Sequence, residues 1–295
     1  MELDNTKTVG FSIVIPTYNK NVVLMHCLEA LCHQSVDKAI FEVLIVNDGG
    51  NNEISEIIDL FKNQLDLRYF YQKNKGPAAA RNLGIKNAKG DIILFLDDDS
   101  LPKIDWLENV IQAWKIFSDY DGIGGYTLSE TTDNIYCRVN SDFFNWYLDL
   151  YADDKLHPFL VTCNAGYRKR ILSRIDNFDE RFKKASGEDR DLNIKISKIG
   201  GKLRLDKKIL VYHDKDLTFL TFAKKHYNYG KAAYKIYMKY QDLIHLSIHS
   251  YIDLYISILK KYRTFKEKLM VLLLLSFSQV CTILGYYFAI LSKEV

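Results

Sequence analysis

Cysteine is sparse and unpatterned in this 295-residue chain. Cys27, Cys32, Cys137, Cys163 and Cys281 are odd in number and show no CxxC spacing. That argues against both a cysteine-built zinc site and a disulfide framework, and it points to a reducing compartment. Residues 1–10 are polar and lack an apolar core run, so no secretory leader is expected and the catalytic body should stay in the cytoplasm. Nor does the chain lack apolar residues, as a disordered one would. At 48% apolar and 26% charged it is globular, and its length allows one large domain or two.

The charge is unevenly spread. Between Lys202 and Lys268 there are 15 Lys and Arg against 6 Asp and Glu, which leaves the remainder acidic although the whole carries only +3. An acidic body with a basic C-terminal third suits a catalytic domain resting on an anionic surface.

One stretch organises the rest: GDIILFLDDDS, Gly90 to Ser100. Its apolar run reads as a strand buried on both faces, of the kind found in parallel sheets covered by helices. It ends in Asp97, Asp98 and Asp99. Three adjacent carboxylates repel one another unless a cation or a set of donors stabilises them. Hard ions such as Mg2+ and Mn2+ prefer carboxylate oxygens and often sit between carboxylates and substrate phosphates. The alternative is an acidic loop capping a helix that begins near Ile104.

Similar units surround it. Phe11 to Ile15 is a strand ended by Pro16, with Thr17-Tyr18-Asn19 as its loop, and Leu24, Cys27, Leu28 and Leu31 then repeat at helical spacing. Phe41 to Val46 is a strand ending in Asn47-Asp48-Gly49-Gly50, followed by a helix marked by Ile54, Ile57, Ile58 and Phe61. Leu67 to Tyr71 is a shorter strand, after which Gly76-Pro77 opens a helix carrying Arg81 one turn in. Strands separated by single helices predict a parallel sheet with right-handed crossovers, and ligands bind beyond the carboxyl ends of such strands. Thr17, Asp48 and the Asp97–Asp99 triplet therefore gather along one edge, with Arg81 close by.

Later segments are less regular. Gly122 to Leu128 is expected to be a strand, 133–154 an aromatic helix, and Phe159 to Ala165 extended. Glu188 and Asp189 fall in the first turn of an amphipathic helix, where the dipole alone stabilises an acid by ~0.3 to 1 kcal/mol. His213 ends an alternating run, where a hydrogen-bonded structural role competes with a ligand role. Thr218 to Tyr240 is a basic, Tyr-rich helix. Leu269 to Leu291 has no charge and is long enough to cross a hydrocarbon core; Lys260, Lys261, Arg263, Lys266 and Lys268 precede it, placing the body on the cytoplasmic side. A buried core helix or a homodimer contact is the alternative for this tail.

VIPTYN (Val14 to Asn19), VNDGG (Val46 to Gly50), KGPAAARNLGI (Lys75 to Ile85), FLDDDSLP (Phe95 to Pro102), CNAGYRK (Cys163 to Lys169), GEDRDL (Gly187 to Leu192) and VYH (Val211 to His213) occur in this order. Together they resemble the family 2 inverting glycosyltransferases over about residues 11 to 240. The resemblance implies an α/β fold of GT-A type, a Rossmann-like, mostly parallel sheet flanked by helices, with a C-terminal helical, membrane-associating extension. Residues 1–215 would form the catalytic domain, with a nucleotide-binding half over about 10–125 and an acceptor half over about 126–215. Residues 216–295 would form the helical region.

The implied nucleotide pocket holds Pro16, Thr17, Tyr18, Asn19, Asp48, Gly76, Arg81, Asp97 and Asp98, with Asp48 accepting from uracil N3–H. The implied metal ligands are Asp99, Asp97 and His213, binding Mn2+ or Mg2+. Asp189 would be the general base and Glu188 its partner, while Asn164, Ala165 and Gly166 would face the acceptor. Asn47 and Gly50 depart from the family's usual acid and Ser. The implied partners are a UDP-linked donor and a glycan or lipid-linked acceptor at the cytoplasmic face of a membrane, with no nucleic acid. A protein or peptide acceptor, a phosphotransferase using Asp97 or Asp99 as nucleophile, and a silent nucleotide-binding scaffold are the rival readings.

Overall fold

A computed structural model describes residues 10–50, 54–129, 133–150, 159–183, 186–213, 217–241 and 247–292. Strand β1, Phe11–Thr17, and strand β2, Phe41–Asp48, pair in parallel from Phe11 opposite Phe41 to Thr17 opposite Asn47. Helix α1, Asn21–Cys32, connects them, and α2, Ile54–Phe61, leads to β3, Leu67–Gln72. After α3, Pro77–Asn87, strand β4, Ile92–Phe95, lies parallel to the other side of β1.

Side chains alternate across a strand, so each strand feeds two layers. Ile13, Ile15, Val43 and Ile45 pack with Leu24, Leu28 and Leu31 of α1 and with Ile57 and Phe61 of α2. Val14, Leu44 and Val46 face the opposite way, onto Ala78, Ala80 and Ile85 of α3. Burying each such aliphatic side chain stabilises the fold by about 1.5–3 kcal/mol. β2 is buried along its whole length, which explains the apolar run Val43 to Val46; Glu42 is buried too, accepting from Ser12 hydroxyl at 2.6 Å and Arg68 Nη1 at 2.9 Å.

The sheet continues through β5, Leu101–Pro102; β6, Gly122–Ser129; β7, Ala165–Arg168; and β8, Leu203–His213. Its order is β3-β2-β1-β4-β7-β6-β8-β5. Four strands are parallel; β7 then runs antiparallel to β4, β6 antiparallel to β7, and β5 antiparallel to β8. The expected βαβ half is thus joined to an antiparallel half that single-strand periodicity does not reveal. Helices α4, Trp106–Ile116; α6, Lys169–Arg174; and α7, Glu188–Lys198, complete the packing around it.

Three boundaries differ from the sequence reading. β1 runs through Pro16 instead of ending before it. The Val14 carbonyl accepts from Leu96 N–H, and Pro16, two residues on, faces the same side just where β4 has ended, so no ladder bond is lost. The helix expected near Ile104 starts at Trp106, because Leu101 and Pro102 first pair with Tyr212 and Val211. The run 159–165 joins the sheet only at Ala165.

The chain divides into two compact units, 1–126 with 157–212 and 127–156 with 213–295. In the second, α5 is Ile135–Leu150, α8 Phe219–Tyr240, α9 Ile248–Leu259 and α10 Phe265–Leu291. Part of the aromatic segment expected over 133–154 and the residue after His213 lie outside the described residues. Val139, Trp146, Phe222, Leu254, Ile258, Val271, Leu274 and Leu275 form this unit's core. Trp146 Nε1 donates to Asp253 at 2.8 Å, and Thr218 and Thr264 open α8 and α10 with reciprocal caps.

α8 and α10 meet backbone to backbone: a Cβ on Gly230 would overlap the Thr282 carbonyl, and one on Gly285 the Tyr227 carbonyl. α10 has 27 residues and a mean hydropathy of 2.0 over its most apolar window, so by length and composition it is able to cross a membrane. Leu269, Leu272, Leu273, Ile283 and Leu284 are exposed along it. Gly285→Val should force α8 and α10 apart and lower stability by about 1–3 kcal/mol, read as a lower melting temperature with helix content retained.

Candidate active site

The register of the parallel strands builds the site. Val14 lies opposite Phe95, so continuing the pairing sets Thr17 beside Asp98, and Thr17 Oγ1 donates to Asp98 Oδ2 at 2.9 Å. Asp98 is nearly buried; Asp97 and Asp99 each keep about a third of their side chains open, at 32% and 34%. Lys20 Nζ bridges the pair, 3.1 Å from Asp98 Oδ1 and 2.7 Å from Asp99 Oδ2. Burial raises the Asp98 carboxyl to about 6, against the opposing pull of the Lys20 ammonium, while the neighbouring Asp99 charge adds to the rise.

Arg81 is the centre of the arrangement. Its guanidinium is 2% exposed, with Nη2 donating to Asp97 Oδ1 at 2.8 Å and Nη1 to Glu188 Oε1 at 2.9 Å. Burial works against the charge, but the two carboxylates outweigh it and hold the proton on. The Phe178 ring lies 5.7 Å from the guanidinium carbon. Glu188 Oε2 accepts from Ser186 N–H at 2.8 Å, which leaves Glu188 doubly held at the start of α7.

Asp189 follows it and keeps part of its surface accessible. Burial first, and the Glu188 charge second, push its carboxyl up to about 7, although Arg190 N–H and Arg81 pull the other way. Arg190 N–H reaches Asp189 Oδ1 at 2.7 Å. Asn193 Nδ2 donates to the carbonyls of Asp189 and Leu160, both at 2.7 Å, and Tyr167 hydroxyl donates to Asn193 Oδ1 at 3.0 Å. The turn bearing Asp189 is thereby tied to β7.

Asp48 ends β2 and accepts from Gln72 Nε2 at 2.7 Å, Lys75 N–H at 2.9 Å and Gly76 N–H at 2.8 Å. Gly76 has φ +95° and a Cβ there would overlap the Lys183 carbonyl, so glycine is required where α3 begins. Asn47, in place of the usual acid, accepts from Gly50 N–H at 2.7 Å and donates to Tyr69 hydroxyl at 3.1 Å. Asn19 takes a left-handed φ of 53°, and Tyr18 is half exposed at the loop tip.

Contacts within the first unit therefore connect Thr17, Asp97, Asp98, Asp99, Arg81 and Glu188, with Asp189 next in the chain and Asp48 fixing the start of the helix that bears Arg81. Ala165 and Gly166 lie in β7 opposite Phe95 and Leu94 and are buried. Asn164 is buried with its side chain occupied: it accepts from Trp106 Nε1 at 2.8 Å and donates to the Tyr126 and Ile209 carbonyls at 3.0 and 3.1 Å. His213 closes β8 directly after Tyr212, which pairs with Leu101 in the segment leaving the triplet.

The donor set fits a hard divalent cation, since Asp98 and Asp99 already hold an ammonium between them and Asp97, next in the chain, keeps about a third of its side chain open. Cys163 Sγ lies within 4.8 Å of an Asp97 oxygen, but Mg2+ and Mn2+ favour oxygen over soft sulfur. Sequence reasoning missed Lys20, Gln72, Tyr167 and Asn193. Lys20 alone carried a signal, as a cation immediately following the strand-end loop.

The model of Glycosyl transferase family 2 matches residues 12–176, more than half of the chain. The chain belongs to this family. It is a glycosyltransferase, and the match contains Thr17, Asp48, Arg81 and the Asp97–Asp99 triplet. It is 27% identical to the hyaluronan synthase of Pasteurella multocida over 70% of this chain and 24% of that protein. It is 34% identical to glycosyltransferase GlyG of Streptococcus pneumoniae over 45% of this chain and 44% of that protein. The chain thus spans about a quarter of the synthase's length.

Its fold is similar to mannosyltransferase PcManGT from Pyrobaculum calidifontis, solved with GDP-Man and Mn2+, at a TM-score of 0.68 and 15% identity, covering 96% of this chain and 86% of that one. S. aureus TarS 1–349, solved with UDP-GlcNAc, gives a TM-score of 0.59 at 17% identity over 94% and 89% of the two chains. These likenesses place the α/β sheet among GT-A folds.

Removing one partner of a buried ion pair strands the others. Arg81→Met should therefore cost about 3–5 kcal/mol of stability in urea unfolding, and adding Glu188→Gln should recover part of that loss.

Proposed function

We propose that the glycosyltransferase moves a sugar from a UDP-linked donor to a membrane-proximal glycan or lipid-linked acceptor, with inversion at the anomeric carbon. The observation that carries this reading is the Arg81 bridge, which joins the triplet through Asp97 to the start of α7 through Glu188, one residue from Asp189. The GDP-Man and UDP-GlcNAc in the two structural neighbours support a nucleotide-sugar donor, and the Mn2+ in one of them supports a divalent ion. The hyaluronan synthase and the chondroitin synthase of Escherichia coli among the relatives support a polysaccharide product.

Asp48 supports uracil. A carboxylate offers about four lone-pair sites, and three are taken by Gln72, Lys75 and Gly76, so one is left to accept from N3–H. Thr17, Tyr18, Asn19 and Pro16 shape the pocket wall and Asp98 reaches the ribose. Asp99, Asp97 and His213 would hold Mn2+ or Mg2+. When bound, the ion neutralises charge growing on the leaving diphosphate.

Asp189 takes the proton of the acceptor hydroxyl as its oxygen attacks from the face opposite the UDP. Glu188, held by Arg81, fixes the turn from which Asp189 acts. A single displacement inverts the configuration. Ala165 and Gly166 would form the wall on the acceptor side at the start of β7, between β4 and β6, while Asn164 braces that strand from within.

The helical unit supplies the membrane contact on the cytoplasmic face. Its exposed apolar α10 surface follows the basic run Lys260, Lys261, Arg263, Lys266 and Lys268, a pairing suited to an anionic bilayer.

Transfer is assayed as UDP release across a donor panel with Mn2+ or Mg2+. Asp189→Asn should lose about 10²- to 10⁴-fold in turnover while keeping donor binding; undiminished turnover would remove Asp189 from its role. Because its carboxyl is raised and must be ionised to accept a proton, wild-type activity should fall as pH drops below about 7, and the variant should lack that limb. Absence of UDP release from folded protein with every donor would refute the proposed reaction.

Sedimentation with phosphatidylserine vesicles measures the membrane contact. Replacing Arg263, Lys266 and Lys268 by Gln should weaken binding by about 3 kcal/mol at low salt. Equal binding by wild type and variant would refute the basic run's role.

A further inference from the structure

Lys20 has no part in the reaction derived above, yet its ammonium lies 2.7 Å from the Asp99 carboxylate of the triplet. It stands at the cap position of α1, immediately after the β1 loop, and that helix receives no side-chain cap. Its stem leaves the ammonium free to move, since the side chain is 48% exposed, in contrast to the fully enclosed Arg81. The ammonium nevertheless settles on both remaining carboxylates, at 3.1 Å from Asp98 and 2.7 Å from Asp99.

The two cations of the site thus divide the triplet between them. Arg81 holds Asp97 from inside, in a planar fork that cannot leave without unpairing Glu188 as well. Lys20 holds Asp98 and Asp99 from the open side, through a single mobile point charge. Asp98 has a second donor in Thr17, so losing Lys20 does not leave it bare. Of the two carboxylates that Lys20 holds, Asp99 is the open one, one-third exposed where Asp98 is buried.

We infer that Lys20 is an exchangeable counter-ion that occupies the triplet in the donor-free enzyme and competes with a divalent ion for Asp99. This rests on the metal reading given above. An ammonium in contact with the Asp99 oxygen repels a doubly charged ion arriving at the same carboxylate, so one must leave before the other binds. The metal alone is then a poor ligand, while a metal already carrying a nucleotide diphosphate arrives with its charge largely neutralised and displaces Lys20 more easily. Lys20 so becomes a positioning residue that ties metal loading to donor loading.

The test is Mn2+ binding without nucleotide, followed by electron paramagnetic resonance as loss of the free-ion signal, on wild type, Lys20→Gln and Lys20→Arg. Lys20→Gln should bind Mn2+ about ten-fold more tightly, the size expected from removing one unit charge beside the ion in a partly solvated site. Lys20→Arg should stay near wild type. Thermal melts give a second reading: Lys20→Gln should melt lower than wild type without metal and gain more on adding Mn2+. Equal Mn2+ affinity in wild type and Lys20→Gln would overturn the role of Lys20 and leave the metal reading standing. No Mn2+ binding by either protein, with or without UDP, would overturn both.

Discussion

A buried cation shared by two carboxylates from distant parts of the chain is the constraint on which the site depends. Arg81 lies on α3, Asp97 at the end of β4 and Glu188 at the start of α7. An uncompensated charge in such surroundings costs several kcal/mol, so the three elements must arrive together or not at all. The strand end and the α7 turn are thereby held in one geometry before any ligand binds. Preorganisation of this kind is what the proposed displacement would need, because reacting groups misplaced by an ångström lose much of their effect.

The parallel half of the fold was legible because its signals are local. Apolar runs such as Val43 to Val46 and helical repeats such as Leu24, Cys27, Leu28 and Leu31 report their own burial. The strand-end positions of Asp48 and Asp97 to Asp99 follow from those runs by a general rule of open α/β sheets. The antiparallel half was not legible in the same way. β5 has only two residues, and its identity comes from pairing with Val211 and Tyr212 more than 100 positions later. Pro16 shows the same limit, since whether a proline ends a strand depends on where its neighbour stops.

Site chemistry was legible to the level of which residues gather. It was less so for what each touches. Arg81, expected in the nucleotide pocket, has its guanidinium on two carboxylates, and Asn164, expected to face the acceptor, has its side chain on Trp106 and two strand carbonyls. Both cases have one physical reason: a long or branched polar side chain in a packed interior binds whichever complementary group the tertiary fold presents, and no spacing rule encodes that partner. Lys20 escaped notice because a lone lysine after a loop is ordinary until its ammonium is seen on Asp98 and Asp99.

On the proposed reading, the Asp48 carboxylate joins two duties that a protein engineer would wish to separate. Because it grips the peptide nitrogens that open α3, altering the side chain at that position to admit a different nucleobase would also slacken the helix on which Arg81 rides. Under that reading, donor preference is better re-tooled at the half-exposed Tyr18 of the β1 loop, whose side chain carries no such structural bond among the described residues, than at the acid itself.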